Sequence, residues 1–307
     1  MLTAANFLFM KHVAEYNLSY ATLAEYEARQ AIFTQRNEAI EAENAKPENT
    51  FTVGHNKFST WTEAELAVMR GFRAASRPNA IFENKTPNAD SVDWNAAGCV
   101  TPVKDQGSCG SCWAFSTTGS MEGAHCAEGN PLVSLSEQEL VDCDTNDGNL
   151  GCHGGDMYNA MVFTEKNPLA TETGYPYNDI LPRQGTCEES THTGVVGCTN
   201  AVQITPGSSS ALMASIEIAP TSVAIEAKSL TFQFYTSGII NSKGCGTELD
   251  HGVTAVGYGS DNGQNYYLVK NSWNTSWGED GYVRIGNDGD GDGICGIQMQ
   301  PVRAVTN

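Results

Sequence analysis

The sequence predicts an α+β protein in which helices come first along the chain and strands dominate its last part. Between residues 25 and 44, apolar side chains recur at helical spacing among Glu, Arg and Gln, and Pro47 ends that pattern. A second apolar, helix-like run covers residues 113–127. After about residue 198 the pattern changes to short β-branched or aromatic runs bounded by Gly and Asn, which are typical of strands.

Most of the predicted elements have a local signal of their own. Residues 1 to about 46 are predicted to be helical, up to Pro47. Ser136 lies three residues before Glu139, which is the spacing of a capping box, and this predicts a helix within residues 134–143. The predicted strands after residue 198 span residues 221–226, 252–258 and 266–270.

Charge is distributed unevenly along the 307 residues, whose formal net charge is −19. Residues 1–86 carry 9 Lys or Arg against 10 Asp or Glu, whereas residues 87–307 carry 8 against 26. A strongly acidic domain repels nucleic acid and anionic lipid, so neither is an expected partner. Acidity on this scale suits a compartment of low pH, where protonation relieves self-repulsion. The alternative is a solvated acidic surface with no such meaning.

All ten cysteines lie between Cys99 and Cys295. This clustering favours a disulfide framework made in an oxidising compartment. Three N-glycosylation sequons, which begin at Asn17, Asn84 and Asn274, are compatible with secretion. No run approaches the ~18 apolar residues of a membrane span, and the N-terminus lacks the features of a signal peptide. If the protein is secreted or vesicular, we expect its signal peptide to be missing from this sequence.

The most informative motif runs Gln-Gly-Ser-Cys-Gly-Ser-Cys-Trp-Ala-Phe-Ser from Gln106, and it places Cys112 at the start of the helix-like run. A thiol there is pushed toward thiolate, because unpaired N–H groups and the helix dipole favour negative charge. His251 follows Cys112 by 139 residues and Asn271 follows it by 159. This order and spacing are typical of a nucleophilic Cys-His-Asn site.

These residues resemble those of the papain-like cysteine proteases, and in particular the cathepsin L-like branch as an uncleaved proenzyme. The resemblance implies a two-lobe α+β fold with a cleft between a mainly helical lobe, about residues 88–198, and a β-barrel-like lobe, about residues 199–307. It also implies a mainly helical inhibitory propeptide over residues 1–87, before a catalytic domain over residues 88–307. The implied activity is that of a cysteine endopeptidase, with no cofactor and no metal.

The resemblance also gives each site residue a role. Cys112 is the nucleophile, His251 takes and later returns its proton, and Asn271 orients the imidazole through its amide oxygen. The side chain of Gln106 and the backbone N–H of Cys112 form the oxyanion hole. Trp273 shields the hydrogen bond between the imidazole and the amide from water.

The substrate cleft follows from similarity to family positions. Gly154 and Gly155 are expected to bind an extended peptide as an added strand. The apolar pocket residues favour an apolar side chain at the second residue before the cleaved bond, and Asp156 with Gln300 is expected to extend the preference to Arg or Lys. The expected substrate-binding residues are Gly154, Gly155, Asp156, Met157, Ala224, Leu249, Gly252, Trp273, Trp277 and Gln300.

The N-terminal region matches much of the cathepsin L-like propeptide pattern. The matching positions are Glu25, Arg29, Phe33, Ile40, Asn44, Gly54, Asn56 and Phe58. Two positions depart from it: Arg36 stands in place of an Asn, and Thr60 replaces the Asp that usually senses pH.

A basic stretch from Leu66 to Phe82 contains Arg70, Arg73 and Arg77 and no acidic residue. We expect it to lie in the acidic cleft and to run opposite to a substrate. The alternative is a basic linker with no docking role.

The resemblance pairs Cys109 with Cys152, Cys143 with Cys187, and Cys245 with Cys295, and leaves Cys112 free. Each such bridge is expected to add ~2–5 kcal/mol of stability. The three cysteines that remain are Cys99, Cys126 and Cys198, among which the pairing of Cys99 with Cys126 is favoured.

Other interpretations remain open. Cys109 and Cys112 fit the Cys-x-x-Cys form of a thiol–disulfide oxidoreductase, which predicts that these two pair. Residues 287–293 resemble the start of a calcium loop, although Met299 occupies the position where an EF-hand needs Glu. A catalytically inactive peptide-binding homologue is a further possibility. A zinc site is another possibility, and it would use the nucleophile as a ligand. Its ligands would be Cys109, Cys112, Cys152 and His153.

The expected partners are protein or peptide substrates, together with the propeptide as an intramolecular inhibitor. We expect a monomer. The expected location is a lysosome or other acidic vacuole, or the exterior of the cell.

Overall fold

The computed structural model describes residues 4–75, 81–145, 148–178 and 183–307. Its helices are α1 (Ala4–Glu15), α2 (Leu23–Asn44), α3 (Glu63–Val68), α4 (Cys112–Ala127), α5 (Glu137–Cys143), α6 (Met157–Thr164), α7 (Ser209–Ile218) and α8 (Leu230–Gln233). Its strands are β1 (Phe51–Val53), β2 (Phe82–Glu83), β3 (Val92–Asp93), β4 (Cys198–Ile204), β5 (Thr221–Ile225), β6 (Tyr235–Ile240), β7 (His251–Asp261), β8 (Gln264–Lys270), β9 (Tyr282–Gly286) and β10 (Val302–Thr306).

The N-terminal segment is helical, as predicted, but it forms two helices, α1 and α2, with a turn between them. After α1, Asn17 adopts a left-handed backbone with φ of 49°, which an α-helix does not accommodate. The side chain of Thr22 then caps α2, because its Oγ1 accepts the N–H of Glu25 at 3.1 Å. A turn and a new N-cap therefore interrupt the helical pattern that the apolar spacing suggested.

Short-range and long-range contacts fix α2 against the segment that follows it. Thr62 and Glu65 form a complete capping box at the start of α3. Arg29 on α2 donates to the same Glu65 carboxylate, with Nη2 2.7 Å from Oε1. Arg36, which departs from the propeptide pattern, donates to the backbone carbonyl of Phe58. Arg36 thus holds the chain after β1 against α2.

The helical lobe is built around α4, most of whose residues are buried. α5 begins as predicted near Ser136, whose Oγ accepts the N–H of Glu139 at 3.0 Å. The Glu139 carboxylate does not return to the cap; it accepts the N–H of Ala170 at 2.7 Å instead. The capping box is therefore only half formed, because Glu139 is used to hold a neighbouring loop.

One mixed sheet carries the strands, in the order β1-β6-β9-β8-β7-β5-β10-β4-β2, with β3 paired to β7. Among the described residues the sheet is open, so the β lobe is not a closed barrel. Its end strands, β1 and β2, both precede residue 88: β1 pairs antiparallel with β6, and β2 pairs parallel with β4. The predicted strands correspond to β5, β7 and β8.

Two apolar cores lie on either side of the cleft. The core of the β lobe contains Phe58, Phe232, Tyr235, Tyr267, Trp273 and Trp277, together with aliphatic residues of the strands. The core of the helical lobe contains Trp113, Met121, Leu140, Met157, Met161 and Leu169. Cys112 is the first residue of α4 and His251 is the first residue of β7, and these two elements meet across this division, where the N–H of Gly252 lies 3.4 Å from the Cys112 sulfur. The predicted α+β, two-lobe fold is confirmed.

Four disulfide bonds cross-link the chain. They join Cys99 to Cys126, Cys109 to Cys152, Cys143 to Cys187, and Cys245 to Cys295. The two cysteines that remain, Cys112 and Cys198, are buried free thiols. The prediction from Cys-x-x-Cys that Cys109 pairs with Cys112 is therefore wrong, because Cys109 is already bonded across the lobe.

Candidate active site

Cys112 lies where the two lobes and the N-terminal region meet. Its side chain is fully buried. The sulfur accepts two backbone N–H groups, from Gly71 at 3.3 Å and from Gly252 at 3.4 Å. Gly71 belongs to the predicted inhibitory segment, and Gly252 follows His251 on β7. The sulfur thus lies under a covering segment and against the backbone of the residue that follows His251.

His251 is held from the side opposite the sulfur. Its Nε2 lies 2.8 Å from Oδ1 of Asn271. The indole of Trp273 packs beside the imidazole, with ring centroids 4.7 Å apart, and Phe58 of the N-terminal region packs edge-on against that indole. Nδ1 of His251 is buried and has no hydrogen-bond partner among the described residues. The nitrogen not fixed by Asn271 is therefore the one free to exchange a proton.

Burial governs the protonation of the two groups. Burial raises the pKa of the Cys112 thiol to about 11, and the N–H groups of Gly252 and Gly71 offset only part of that effect. Burial also lowers the pKa of His251 to about 4, although its hydrogen bond with Asn271 raises it. Uncharged thiol and uncharged imidazole are therefore favoured while the N-terminal region covers them.

Gln106 is fully buried beside Cys112, and its amide is already engaged. Nε2 donates to the carbonyl oxygens of Met69 and Cys109, both at 2.8 Å. Oε1 accepts the hydroxyl of Ser272 at 2.7 Å. The backbone carbonyl of Met69 thus occupies the donor that the sequence analysis assigned to the oxyanion hole. Ser272 carries no signal in the sequence, because only tertiary packing brings residues 106 and 272 together.

The covering segment pairs with the helical lobe as a short parallel bridge between Phe72 and Gly155. The N–H of Gly155 donates to Gly71 at 2.8 Å, and the N–H of Arg73 donates to Gly155 at the same distance. The N–H of Phe72 donates across the cleft to Asp250 at 3.0 Å. The segment is therefore fastened to both lobes directly over Cys112.

Gly71 is required at the point of closest approach. A Cβ at this position would overlap the backbone carbonyl of Gly110. We therefore expect Gly71→Ala to displace the segment from the cleft. The equilibrium constant for its binding to the cleft should fall by about 10- to 100-fold, the usual cost of overpacking. The measurement is the rate at which the full chain gains thiol reactivity and peptidase activity at neutral pH.

Ala74→Ser is the matched control for that substitution, since Ala74 lies exposed on the same segment. Equal rates of activation for Gly71→Ala and Ala74→Ser would contradict the close fit at Gly71.

Basic residues of this segment do contact the cleft, as the sequence predicted. Arg70 forms an ion pair with Asp250, with Nε 3.2 Å from Oδ2, and another with Glu63. Nε of Arg73 donates to the carbonyl of His153 at 2.7 Å. Arg77, the third predicted basic residue, lies outside the described residues. The bare-linker alternative is not consistent with these contacts.

The predicted pocket residues lie around Phe72 of the covering segment. Phe72 belongs to the same apolar cluster as Met157 and Ala224, against which Leu249 packs. Gln300 lines a cavity next to Ala75 of the same segment. Trp277 is fully buried behind the cleft, in the core of the β lobe.

Asp156 has a structural task that its charge did not reveal. Its Oδ1 accepts the N–H groups of Tyr158 and Asn159, so it caps α6. Its Oδ2 accepts the N–H of Ala75 at 3.0 Å. The carboxylate therefore faces a backbone donor of the covering segment while it holds the helix start.

The metal-site alternatives gain no support from the described residues. Cys109 and Cys152 form a disulfide, so they cannot supply thiolates to zinc. In the acidic turn, Asn287 accepts the N–H of Gly289, and Asp290 accepts the N–H of Ser209. These contacts tie the turn to the start of α7.

Two family models match the chain. "Papain family cysteine protease" matches residues 88–305, and "Cathepsin propeptide inhibitor domain (I29)" matches residues 9–66. The chain therefore belongs to the papain family of cysteine proteases. It carries the inhibitor domain of the cathepsin propeptides ahead of the protease domain, which confirms the predicted family.

Relatives match over nearly the whole chain. Digestive cysteine proteinase 3 of Homarus americanus is 43% identical over 296 residues, which cover 94% of this chain and 91% of the relative. Digestive cysteine proteinase 1 of the same organism is 43% identical over 306 residues, which cover 96% and 94%. The family assignment thus extends through both regions.

Solved proenzyme structures match the fold. The recombinant stem bromelain precursor superposes with a TM-score of 0.88 at 34% identity, covering 98% of this chain and 99% of that one. Digestive procathepsin L 3 from the larval midgut of Tenebrio molitor superposes with a TM-score of 0.85 at 34% identity and the same coverage. Among the helices that the structure describes, none combines the length and apolarity needed to cross a bilayer.

Proposed function

We propose that this chain is the zymogen of a cysteine endopeptidase whose propeptide spans residues 1–87 and whose catalytic domain spans residues 88–307. One observation carries the proposal. Cys112 at the start of α4, the hydrogen-bonded pair of His251 and Asn271, and the amide of Gln106 converge in one cleft. A segment of the propeptide lies directly over them.

Catalysis starts once the propeptide leaves and water reaches the cleft. The thiol proton of Cys112 passes to Nδ1 of His251, while Asn271 holds Nε2. The thiolate attacks the carbonyl carbon of the scissile peptide bond, and the carbonyl π electrons move to oxygen. The amide of Gln106 and the N–H of Cys112 stabilise that oxyanion.

The reaction is completed in two stages, collapse of the tetrahedral intermediate to a thioester and hydrolysis of that thioester. The C–N bond breaks, the amine leaves with the proton from the imidazolium of His251, and a thioester to Cys112 remains. Water, deprotonated by His251, attacks the thioester and releases the acid, and the proton returns to the thiol. No redox step and no cofactor are needed for this cycle.

The covering segment supports a mode of substrate binding. It uses the N–H and the carbonyl of Gly155, which are the groups an extended substrate would use. It pairs in parallel, whereas a substrate in the family pairs in the opposite direction. A reversed chain fills the cleft without presenting a carbonyl to Cys112 in the reactive orientation.

Phe72 in the apolar cluster supports a preference for an apolar or aromatic side chain two residues before the cut. Asp156 and Gln300 extend this preference to Arg or Lys in our proposal. We expect fluorogenic dipeptides with Phe or Leu at that position to be cleaved fastest, and those with Arg or Lys to be cleaved measurably. A complete absence of cleavage of the substrates that carry Arg or Lys at that position would remove the role proposed for Asp156 and Gln300.

We propose an acidic vacuole, a lysosome or the cell exterior as the site of action. The four disulfides, the acidity of residues 87–307 and the digestive names of the relatives support this. We also propose that the enzyme acts as a monomer.

The test of the proposed function is acid activation, followed by labelling with a thiol-directed peptidyl epoxide and mass mapping of the adduct. We expect one adduct, at Cys112, and loss of peptide hydrolysis in proportion to labelling. Disulfide exchange without hydrolysis would support an oxidoreductase. Tight peptide binding without turnover would identify an inactive homologue.

A further inference from the structure

Tyr177 lies beside the proposed oxyanion hole, and the mechanism above gives it no role. Its hydroxyl donates to the backbone carbonyl of Gln106 at 2.9 Å. The hydroxyl of Ser111 lies 2.8 Å from the same phenol oxygen. Because the phenol proton is directed to a carbonyl, which can only accept, Ser111 is the donor in the second bond.

The hydroxyl of Ser111 is diverted from its usual task. Ser111 occupies the N-cap position of α4, where a serine normally accepts a backbone N–H from the first turn. No such side-chain bond forms here. The hydroxyl instead faces Tyr177, so the residue before Cys112 and the carbonyl of Gln106 are joined through one phenol.

Gln106 is fixed from both lobes by these contacts. Ser272, from the β lobe, accepts the backbone N–H of Gln106 at 2.9 Å and donates its hydroxyl to the side-chain oxygen at 2.7 Å. Tyr177, from the helical lobe, holds the remaining polar group of the Gln106 backbone. The position of Nε2 therefore depends on both anchors.

Tyr177 is itself held in place. Its ring packs edge-on against Phe115 of α4, with centroids 4.9 Å apart. Its backbone N–H donates to the carboxylate of Glu172 at 2.9 Å. Burial raises the pKa of the Tyr177 hydroxyl, so the group stays protonated and remains a donor across the working range of pH.

We propose that Tyr177 is a positioning residue that sets the spacing between the two donors of the oxyanion hole, Nε2 of Gln106 and the N–H of Cys112. The phenol ties together the backbone segments that carry these donors. Such donors act because they are already aligned with the oxyanion before the reaction. A small loss of alignment therefore lowers kcat and leaves the binding of substrate unchanged. This inference deepens the proposed function and rests on it.

The test is Tyr177→Phe in the full chain, activated by acid and titrated for active sites. We expect kcat to fall about tenfold while KM stays within about twofold. The affinity for a peptide aldehyde, whose adduct places an oxygen in the oxyanion hole, should fall by the same factor as kcat. Ser111→Ala should add little to Tyr177→Phe, because both remove the same bridge.

Tyr175→Phe is the matched control. Tyr175 lies two residues away, and its hydroxyl donates to Asp142 at 2.8 Å, away from Gln106. We expect this variant to lose stability but to keep its kcat. If the wild-type enzyme hydrolyses peptides and the two variants have the same kcat, the role of Tyr177 is refuted while the proposed function stands. If the wild-type enzyme does not hydrolyse peptides, the proposed function itself fails.

Discussion

Cys112→Ala should leave a folded chain that hydrolyses peptides about 10⁴- to 10⁶-fold more slowly than the activated wild-type enzyme. The sulfur accepts weak backbone contacts from Gly71, Gly252 and Trp113, so its loss removes the nucleophile with little effect on folding. The measurement is the initial rate on a fluorogenic peptide after acid treatment, with thermal unfolding as the test of folding.

The same variant should remain uncleaved in acid when it is alone. Added wild-type enzyme should then remove its propeptide, which separates a missing nucleophile from a cleavage site that is not exposed. Cys198→Ala is the matched control, since Cys198 is the other buried free thiol and lies at the start of β4. Substantial hydrolysis by Cys112→Ala, or equal loss in Cys198→Ala, would contradict the role of Cys112.

The second large effect concerns pH. Between pH 6.5 and 4 the folded propeptide should become less stable and bind the catalytic domain less tightly. The reason is that His12 and His55 lie in its interior and become protonated on unfolding. The two rings lie 6.1 Å apart, and the ring of Phe33 stacks on His55 at 4.0 Å. Nε2 of His12 is buried without a hydrogen-bond partner among the described residues.

The surroundings of this pair favour the neutral imidazole. Burial lowers the pKa of both His12 and His55 to about 4. For His55 this value also includes the charges of His12 and of Arg36 on α2, which lower the pKa, and of Glu41, which partly opposes them. The other groups that contact the His55 ring nitrogens are neutral, namely Ser59 and Asn37.

The sign of the effect follows from these pKa values. The unfolded pKa of histidine is about 6.5, so the unfolded state binds more protons between pH 6.5 and 4. Stability is fully present above pH 6.5 and declines toward pH 4, by up to about 1.4 kcal/mol per pH unit for each group. His251 acts in the same sense. Asp250 and Glu172, whose pKa values burial raises to about 6 and about 8, oppose it below those pH values, but they are two groups against three.

The measurement is the melting temperature as a function of pH in the Cys112→Ala chain, where self-cleavage cannot interfere. Adding His12→Phe keeps an aromatic ring at this position and removes the group that binds a proton. The melting temperature should then fall less steeply between pH 6.5 and 4 than it does in Cys112→Ala alone. His125→Gln, near the end of α4, serves as the control. Identical slopes with and without His12→Phe would exclude His12 as a sensor.

Local sequence signals predicted much of the site. The Cys-Gly-Ser-Cys-Trp motif, with a His and an Asn at the right distances, indicated which residues to inspect, and the structure brings Cys112, His251 and Asn271 to one cleft. The contact of Ser272 with Gln106 was not predicted, because residues 166 apart meet only through packing.

Charge and periodicity were less informative where one residue does several tasks. Asp156 suggested a basic substrate preference, yet its carboxylate also caps α6 and accepts a backbone N–H of the propeptide. The spacing of apolar residues indicated helix on both sides of Asn17, but a left-handed residue and the cap at Thr22 divide it. Periodicity reports which face is apolar and does not report where the backbone turns.

In the proposed zymogen, the N-terminal region is attached to the protease domain at three separate places. The propeptide adds β1 to one end of the sheet, crosses the cleft at Gly71, and adds β2 to the opposite end. Each attachment keeps the next at high effective concentration, as in a multivalent ligand. A single cut between two of these places removes that advantage at once, so activation should become abrupt at the first scission once acid has weakened the hold.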